Sequence, residues 1–128
     1  MSISHIVTLA WTRQGEQLTQ NITLTADSEL NGDIAVPAAT TDLEAIVAFD
    51  KTKVKAVFLH SDQDVTVETN SGSAPGNTIT MTANTTLIWF PAMPLANPFT
   101  VDVTKFYITN AGASAAVVKY RLLVDGTP

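Results

Sequence analysis

"DVTVETNSGSAPGNTITMTAN", residues 64–84, decides the fold class. In its first half Val65 and Val67 alternate with Thr66 and Glu68, and in its second half Ile79 and Met81 alternate with Thr78, Thr80 and Thr82. Successive side chains of an extended chain point to opposite faces, so each half reads as a strand with one apolar and one polar face. The Gly, Ser and Pro of "SGSAPGN" break both strand and helix patterning and mark the loop between them.

The alternation continues in both directions. It recurs in "NITLTAD" (Ile22, Leu24), in "VKAVFLH" (residues 54–60), and in "DVTKFYITN", where Val103, Lys105, Tyr107 and Thr109 lie opposite Thr104, Phe106 and Ile108. "SAAVVKYRLLVDG" sets Val118, Tyr120, Leu122 and Val124 against Val117, Lys119, Arg121 and Leu123, and its β-branched residues and flanking turns favour a strand over a helix. In "TTDLEAIVAFD", residues 40–50, Leu43, Ile46 and Val47 have helical spacing, but the run is short and is read as a strand. "RQGEQ", "NGD", "SGSAPGN", "NAGAS" and "DGTP" are turn clusters, with Asn31-Gly32 and Asp125-Gly126 able to accept positive φ. "SDQD" is read as a polar hairpin turn between residues 54–60 and 65–69. Some eight to ten short strands at this spacing predict an all-β fold: one domain over residues 1–128, an antiparallel two-sheet sandwich of jelly-roll type.

Composition excludes several functions. Hydrophobic residues make up 45% and charged residues 15% of the 128, so neutral Thr, Asn and Ser must cover the surface. The net charge of −5 and the lack of any basic stripe beyond Lys51, Lys53 and Lys55 argue against direct nucleic-acid binding. There is no Cys, hence no disulfide, thiol nucleophile or Cys-based metal site. "MSISHIVTLAW" lacks the basic and apolar parts of a signal peptide, and no segment has the ~18 apolar residues of a membrane span, so a soluble product of a cytoplasm is expected.

No reaction chemistry is legible. His5 and His60 have no ligand-type partner at metal-site spacing, and Asp62 and Asp64 lack the further carboxylates a Ca²⁺ loop needs. No G-x-S-x-G elbow occurs, and "SGSAPGN" lacks the Lys of a phosphate loop. The expectation is a protein without catalytic residues, cofactor or metal.

"IWFPAMPLANPFT", residues 88–100, is the apolar segment that demands another explanation. Pro91 and Pro94 take the chain out of the sheet, leaving a loop rich in apolar side chains. Either Leu95 and Phe99 plug the end of the sandwich, or Trp89, Phe90, Met93 and Leu95 stay partly exposed as a contact patch, and one loop can do both. Trp89, Phe90, Met93, Leu95 and Phe99 are therefore the candidate interface residues. Trp11 could join that patch, although a large aromatic in a strand belongs more often to a core.

"DLEAIVAFDKTKVKAVFLHSDQDVTVETNSGSAPGNTITMTANTTLIWF", followed by "NPFTVDVTKFYITNAGASAAVVKYRLLVD", resembles small phage virion proteins, in particular capsid cement or decoration proteins with a jelly-roll fold. The "SDQDVTVETNS", "ANPFTVDVT" and "FYITNAG" segments carry the resemblance. It implies a non-enzymatic protein, a dimer or trimer, made in the host cytoplasm and bound to the major capsid protein on the outside of the shell. It assigns no individual contact residue. The competing expectation is a carbohydrate- or receptor-binding jelly roll of a tail, collar or fibre, stacking sugars on Trp89, Phe90 or Tyr107 with Asp62 and Asp64 as acceptors.

Overall fold

The computed structural model describes residues 2–125. Ten strands follow one another: β1 (Ile3–Arg13), β2 (Glu16–Ala26), β3 (Ser28–Val36), β4 (Thr40–Ala45), β5 (Val54–Ser61), β6 (Val65–Thr69), β7 (Thr78–Met81), β8 (Thr85–Trp89), β9 (Phe106–Asn110) and β10 (Ala116–Val124). A single 3₁₀ turn, Lys51–Lys53, precedes β5 and is capped by Asp50, whose carboxylate accepts from Thr52 N–H.

From β3 onward the chain behaves as one long antiparallel hairpin that has been wound up. β6 pairs with β7, β5 with β8, β4 with β9 and β3 with β10. Cross-pairing of β10 with β5 and of β9 with β6 closes two four-stranded antiparallel sheets, β3-β10-β5-β8 and β4-β9-β6-β7. This nesting is the jelly-roll topology.

Inward-facing residues of both sheets meet in one core. Val36, Val57, Leu59, Val67, Phe106, Ile108, Val118 and Leu122 are completely or almost completely buried, and each such side chain stabilises the fold by ~1.5–3 kcal/mol relative to exposure. Polar groups inside are satisfied. The buried Asn110 side chain donates to the carbonyls of Val36, Pro37 and Ser114 and accepts from Gly112 N–H, tying the end of β3 to the β9–β10 turn. Asn70, at φ 70°, accepts from Thr104 N–H and donates to Asp102 C=O, fastening the chain before β9.

The outer faces of the two sheets differ. On β4-β9-β6-β7 the outward positions hold Glu44, Tyr107, Thr66, Glu68, Thr78 and Thr80, a polar surface. On β3-β10-β5-β8 the outward register brings Leu123 beside Ala56 and Arg121 beside Phe58, which in turn faces Ile88. The base of the β1–β2 hairpin lies against this second face, with β2 touching β10 and β5. Leu123 is fully buried there although it points away from the sandwich interior.

Three sequence readings need correction. "SDQD" is not a hairpin turn: β5 and β6 belong to different sheets, and residues 62–64 form the arch between them. Asp62 accepts from Val117 N–H and Asp64 from Ala83 N–H, so both carboxylates hold backbone. "TTDLEAIVAFD" is a strand only to Ala45, after which Phe49 makes an isolated bridge to Val103. "DVTKFYITN" is interrupted, so Val103 is buried along with Phe106 and Ile108 despite the opposite parity. Gly126 and the rest of the "DGTP" turn lie outside the described residues.

Candidate interaction surface

The loop after β8 does not form the exposed patch that its composition suggests. Trp89, Phe90 and Phe99 are 8%, 5% and 1% exposed, and Met93 packs half-buried against the core. Phe99 is the plug: its ring meets Phe49 edge-on at 5.0 Å and stacks with Phe106 at 6.1 Å. Trp89 is buried by the loop itself, since its Nε1–H donates 2.9 Å to the Leu95 carbonyl and draws the chain back over the indole. Met93 N–H donates to Phe90 C=O in the turn between them. Leu95 alone of the five points outward, at 63% exposure.

Side chains from neighbouring segments fix the remainder of the loop. Asn77 donates to Thr100 Oγ1 and accepts from Thr100 N–H. Lys51 Nζ donates to Thr100 C=O and Asn97 accepts from Phe99 N–H. The expectation that Trp89 and Phe90 stay partly exposed for a partner is thus corrected, while Met93 is half-buried: this segment packs over the core at Phe49 and Phe106, with Phe99 as its plug. The sugar-stacking site loses Trp89 and Phe90 for the same reason, and Asp62 and Asp64 are already engaged with backbone.

Apart from the single side chains of Ile46 and Leu95, the exposed large apolar residues lie on β1 and β2. Their register pairs Ile3 with Ala26, His5 with Leu24, Val7 with Ile22, Leu9 with Gln20 and Trp11 with Leu18, so all ten share one face. The opposite face carries Ser4, Thr8, Thr12, Thr19, Thr23 and Thr25 around one exposed apolar side chain, Ile6, with a Thr8 Oγ1–H to Asn21 Oδ1 bond of 2.9 Å. Gly15, at φ 79°, supplies the left-handed position in the Gln14–Gly15 turn, and an Arg13–Glu16 ion pair of 2.7 Å closes the tip.

The two halves of that apolar face meet different surroundings. Near the base Ile3, Val7, Ile22 and Leu24 are half-buried and Ala26 is buried, and His5 Nε2 stands 3.4 Å from Glu29 of β3. A hydrogen bond from Asn31 and then the neighbouring His5 hold the Glu29 carboxyl below its ordinary value. Beyond Val7 the ribbon outruns the sheet beneath it. Residues 8–21 are all exposed, with Trp11 at 75%, Leu18 at 62% and Leu9 at 37%. Sequence reading left Trp11 between a contact patch and the core, the core being the commoner place for a strand aromatic; it is exposed near the arm's tip. The signal was available: "ISHIVTLAWTR" and "EQLTQNITLTA" alternate around "QG" as two unusually long strands.

A cleft of about 700 Å³ opens beside the arm. One wall is residues 4–8 of β1, which has no strand partner other than β2 among the described residues; the floor includes Phe58 and Ile88, and Lys119 and Arg121 stand at its side. Among the described residues no group of three or more His, Asp or Glu is gathered as a metal site, and no helix is long and apolar enough to cross a membrane.

No family model matches the chain, and the curated proteins give no significant match. Among solved structures the cupin domain of Schizosaccharomyces pombe Cnp3 is similar at 17% identity and a TM-score of 0.43, over 97% of this chain and 84% of that one.

Proposed function

We propose that the protein is a non-enzymatic structural component of a phage virion: a cement or decoration protein that binds the major capsid protein on the outer surface of the shell as a homo-oligomer. The observation that carries this reading is the β1–β2 arm. A two-stranded ribbon is marginal by itself in water, and this one extends an apolar face beyond its own domain with Trp11 and Leu18 uncovered. Exposed apolar surface of that kind marks an association surface. Loops at both ends of the sandwich are cross-linked, by Asn70 and Asn77 before β9 and by Asn110 at its far end, which gives a rigid body for repeated docking on a lattice. A preordered body loses little entropy on binding, and weak contacts repeated over a shell add up by avidity.

The test is co-sedimentation of the purified protein with shells assembled from the major capsid protein, before and after expansion, followed by heating of the decorated shells. Saturable binding and shells that survive to a higher temperature are expected. Protein left in the supernatant with both shell forms would rule the reading out, and binding on a glycan array instead would support a receptor-binding module of tail, collar or fibre.

A further inference from the structure

We infer that the distal arm of one copy, Leu9, Trp11 and Leu18, docks in the cleft beside the arm of a second copy, on Phe58 and Ile88. This rests on the reading of the protein as an assembling structural component and names the surface by which it assembles with itself.

Three observations lead there. First, the arm already shows what it binds: the basal half of its apolar face, Val7, Ile22 and Leu24, is seated on the outer face of β3-β10-β5-β8, and the distal half continues the same face with nothing beneath it. Second, that same outer face is not fully covered. Phe58 and Ile88 remain half-exposed on the cleft floor, and the cleft's 700 Å³ lies within the ~300–1,000 Å³ of pockets that bury drug-sized groups, enough for an indole with a neighbouring leucine. The polar outer face of the other sheet has no such floor.

Third, area decides between arm-to-arm and arm-to-cleft packing. Six residues of a two-stranded ribbon measure roughly 20 Å by 10 Å, so tip-on-tip stacking removes only about 400 Å² in all. Stable interfaces bury ~1,200–2,000 Å². Docking in a cleft covers the ribbon's face, one edge and the receiving walls, and repetition of the contact around a symmetry axis brings the total to the order of 1,200 Å² or more. The edge of β1 at residues 4–8 also offers unpaired backbone groups to an incoming strand.

The experiment is a mixing test read by light scattering, with far-ultraviolet dichroism and thermal melting to verify folding. One variant, Trp11→Ser with Leu18→Ser, has a disabled arm and an intact cleft; the other, Phe58→Glu, has an intact arm and a disabled cleft, with Ile88→Glu as its substitute should Phe58→Glu unfold. The wild type is expected to be an oligomer at tens of micromolar and each variant a folded monomer. An equimolar mixture of the two should form heterodimers only at concentrations well above those that assemble the wild type, because one intact arm finds one intact cleft and the repeated contact is missing. A monomeric wild type, an oligomer that survives in either variant, or a mixture that stays monomeric up to the solubility limit would overturn the inference. Shell co-sedimentation reads the proposed function separately: an arm-exchanged oligomer that ignores shells keeps this inference and removes the cement reading.

Discussion

The loop of residues 90–100 and the β1–β2 arm have similar apolar content and opposite fates. With Trp89 at its start, the loop buries Trp89, Phe90 and Phe99, half-buries Met93 and leaves Leu95 outside; the arm carries Leu9, Trp11 and Leu18 and exposes all three. Composition does not separate them, but what lies beneath each segment does. The loop lies over the core at Phe49 and Phe106, which Phe99 plugs, and the hydrogen bond from Trp89 to the Leu95 carbonyl helps to fold it back. The arm leaves the domain before β3 and keeps extending after the outer face of β3-β10-β5-β8 has ended. Its ladder satisfies the inner backbone groups, so it stays extended without a layer underneath.

Substitutions should divide the two regions sharply. Phe99→Ala removes the plug between Phe49 and Phe106 and is expected to cost ~3–5 kcal/mol in denaturant unfolding. Asn110→Ala, which strips three carbonyls and one N–H of their buried partner, should cost about 2–4 kcal/mol. Trp89→Phe leaves the Leu95 carbonyl without its donor and should cost ~1–2 kcal/mol, with faster hydrogen exchange in residues 91–97. At the small end, Leu95→Ala and, in dilute solution, Trp11→Ala should each change stability by less than ~0.5 kcal/mol, since neither side chain is covered within its own chain. A large loss for Trp11→Ala in the monomer would break the comparison.

Acid should act at the base of the arm before the plug. Glu29 has its carboxyl held below the ordinary value of 4.5 by Asn31 and His5, so the unfolded chain binds more protons than the folded one in the window below that value. The contribution is therefore complete above about pH 4.5 and is lost as pH falls through the lowered value. Asp50, lowered by Thr52, adds in the same direction. A melting series should show stability falling in that window, and Glu29→Gln should flatten part of the slope.

Much of the fold was legible because alternation is a local property. Val65 to Glu68 and Thr78 to Met81 declared both strands, and the faces of Val118, Tyr120 and Leu122 were readable from parity alone. Sheet membership was not local. "SDQD" has the same residues whether it turns a hairpin or arches between sheets, and only the long-range pairing of β5 with β8 and β10 decides. The interaction surface was misplaced for a related reason: burial of residues 89–99 depends on Phe49 and Phe106, far away in sequence, whereas the arm's exposure depends on how far the sheet beneath it extends. The long alternating strands around "QG" could have revealed the arm; its overhang could not be read without the domain.

The contrast between the two tryptophans allows the most direct test. In a Trp89→Phe variant the emission of Trp11 should be red-shifted and strongly quenched by acrylamide when the protein is dilute, then become blue-shifted and protected as concentration rises. In a Trp11→Phe variant Trp89 should be protected throughout. A Trp11 that is shielded in dilute monomer, or that stays fully quenchable in every assembled state, would contradict the assignment of the arm as the association surface.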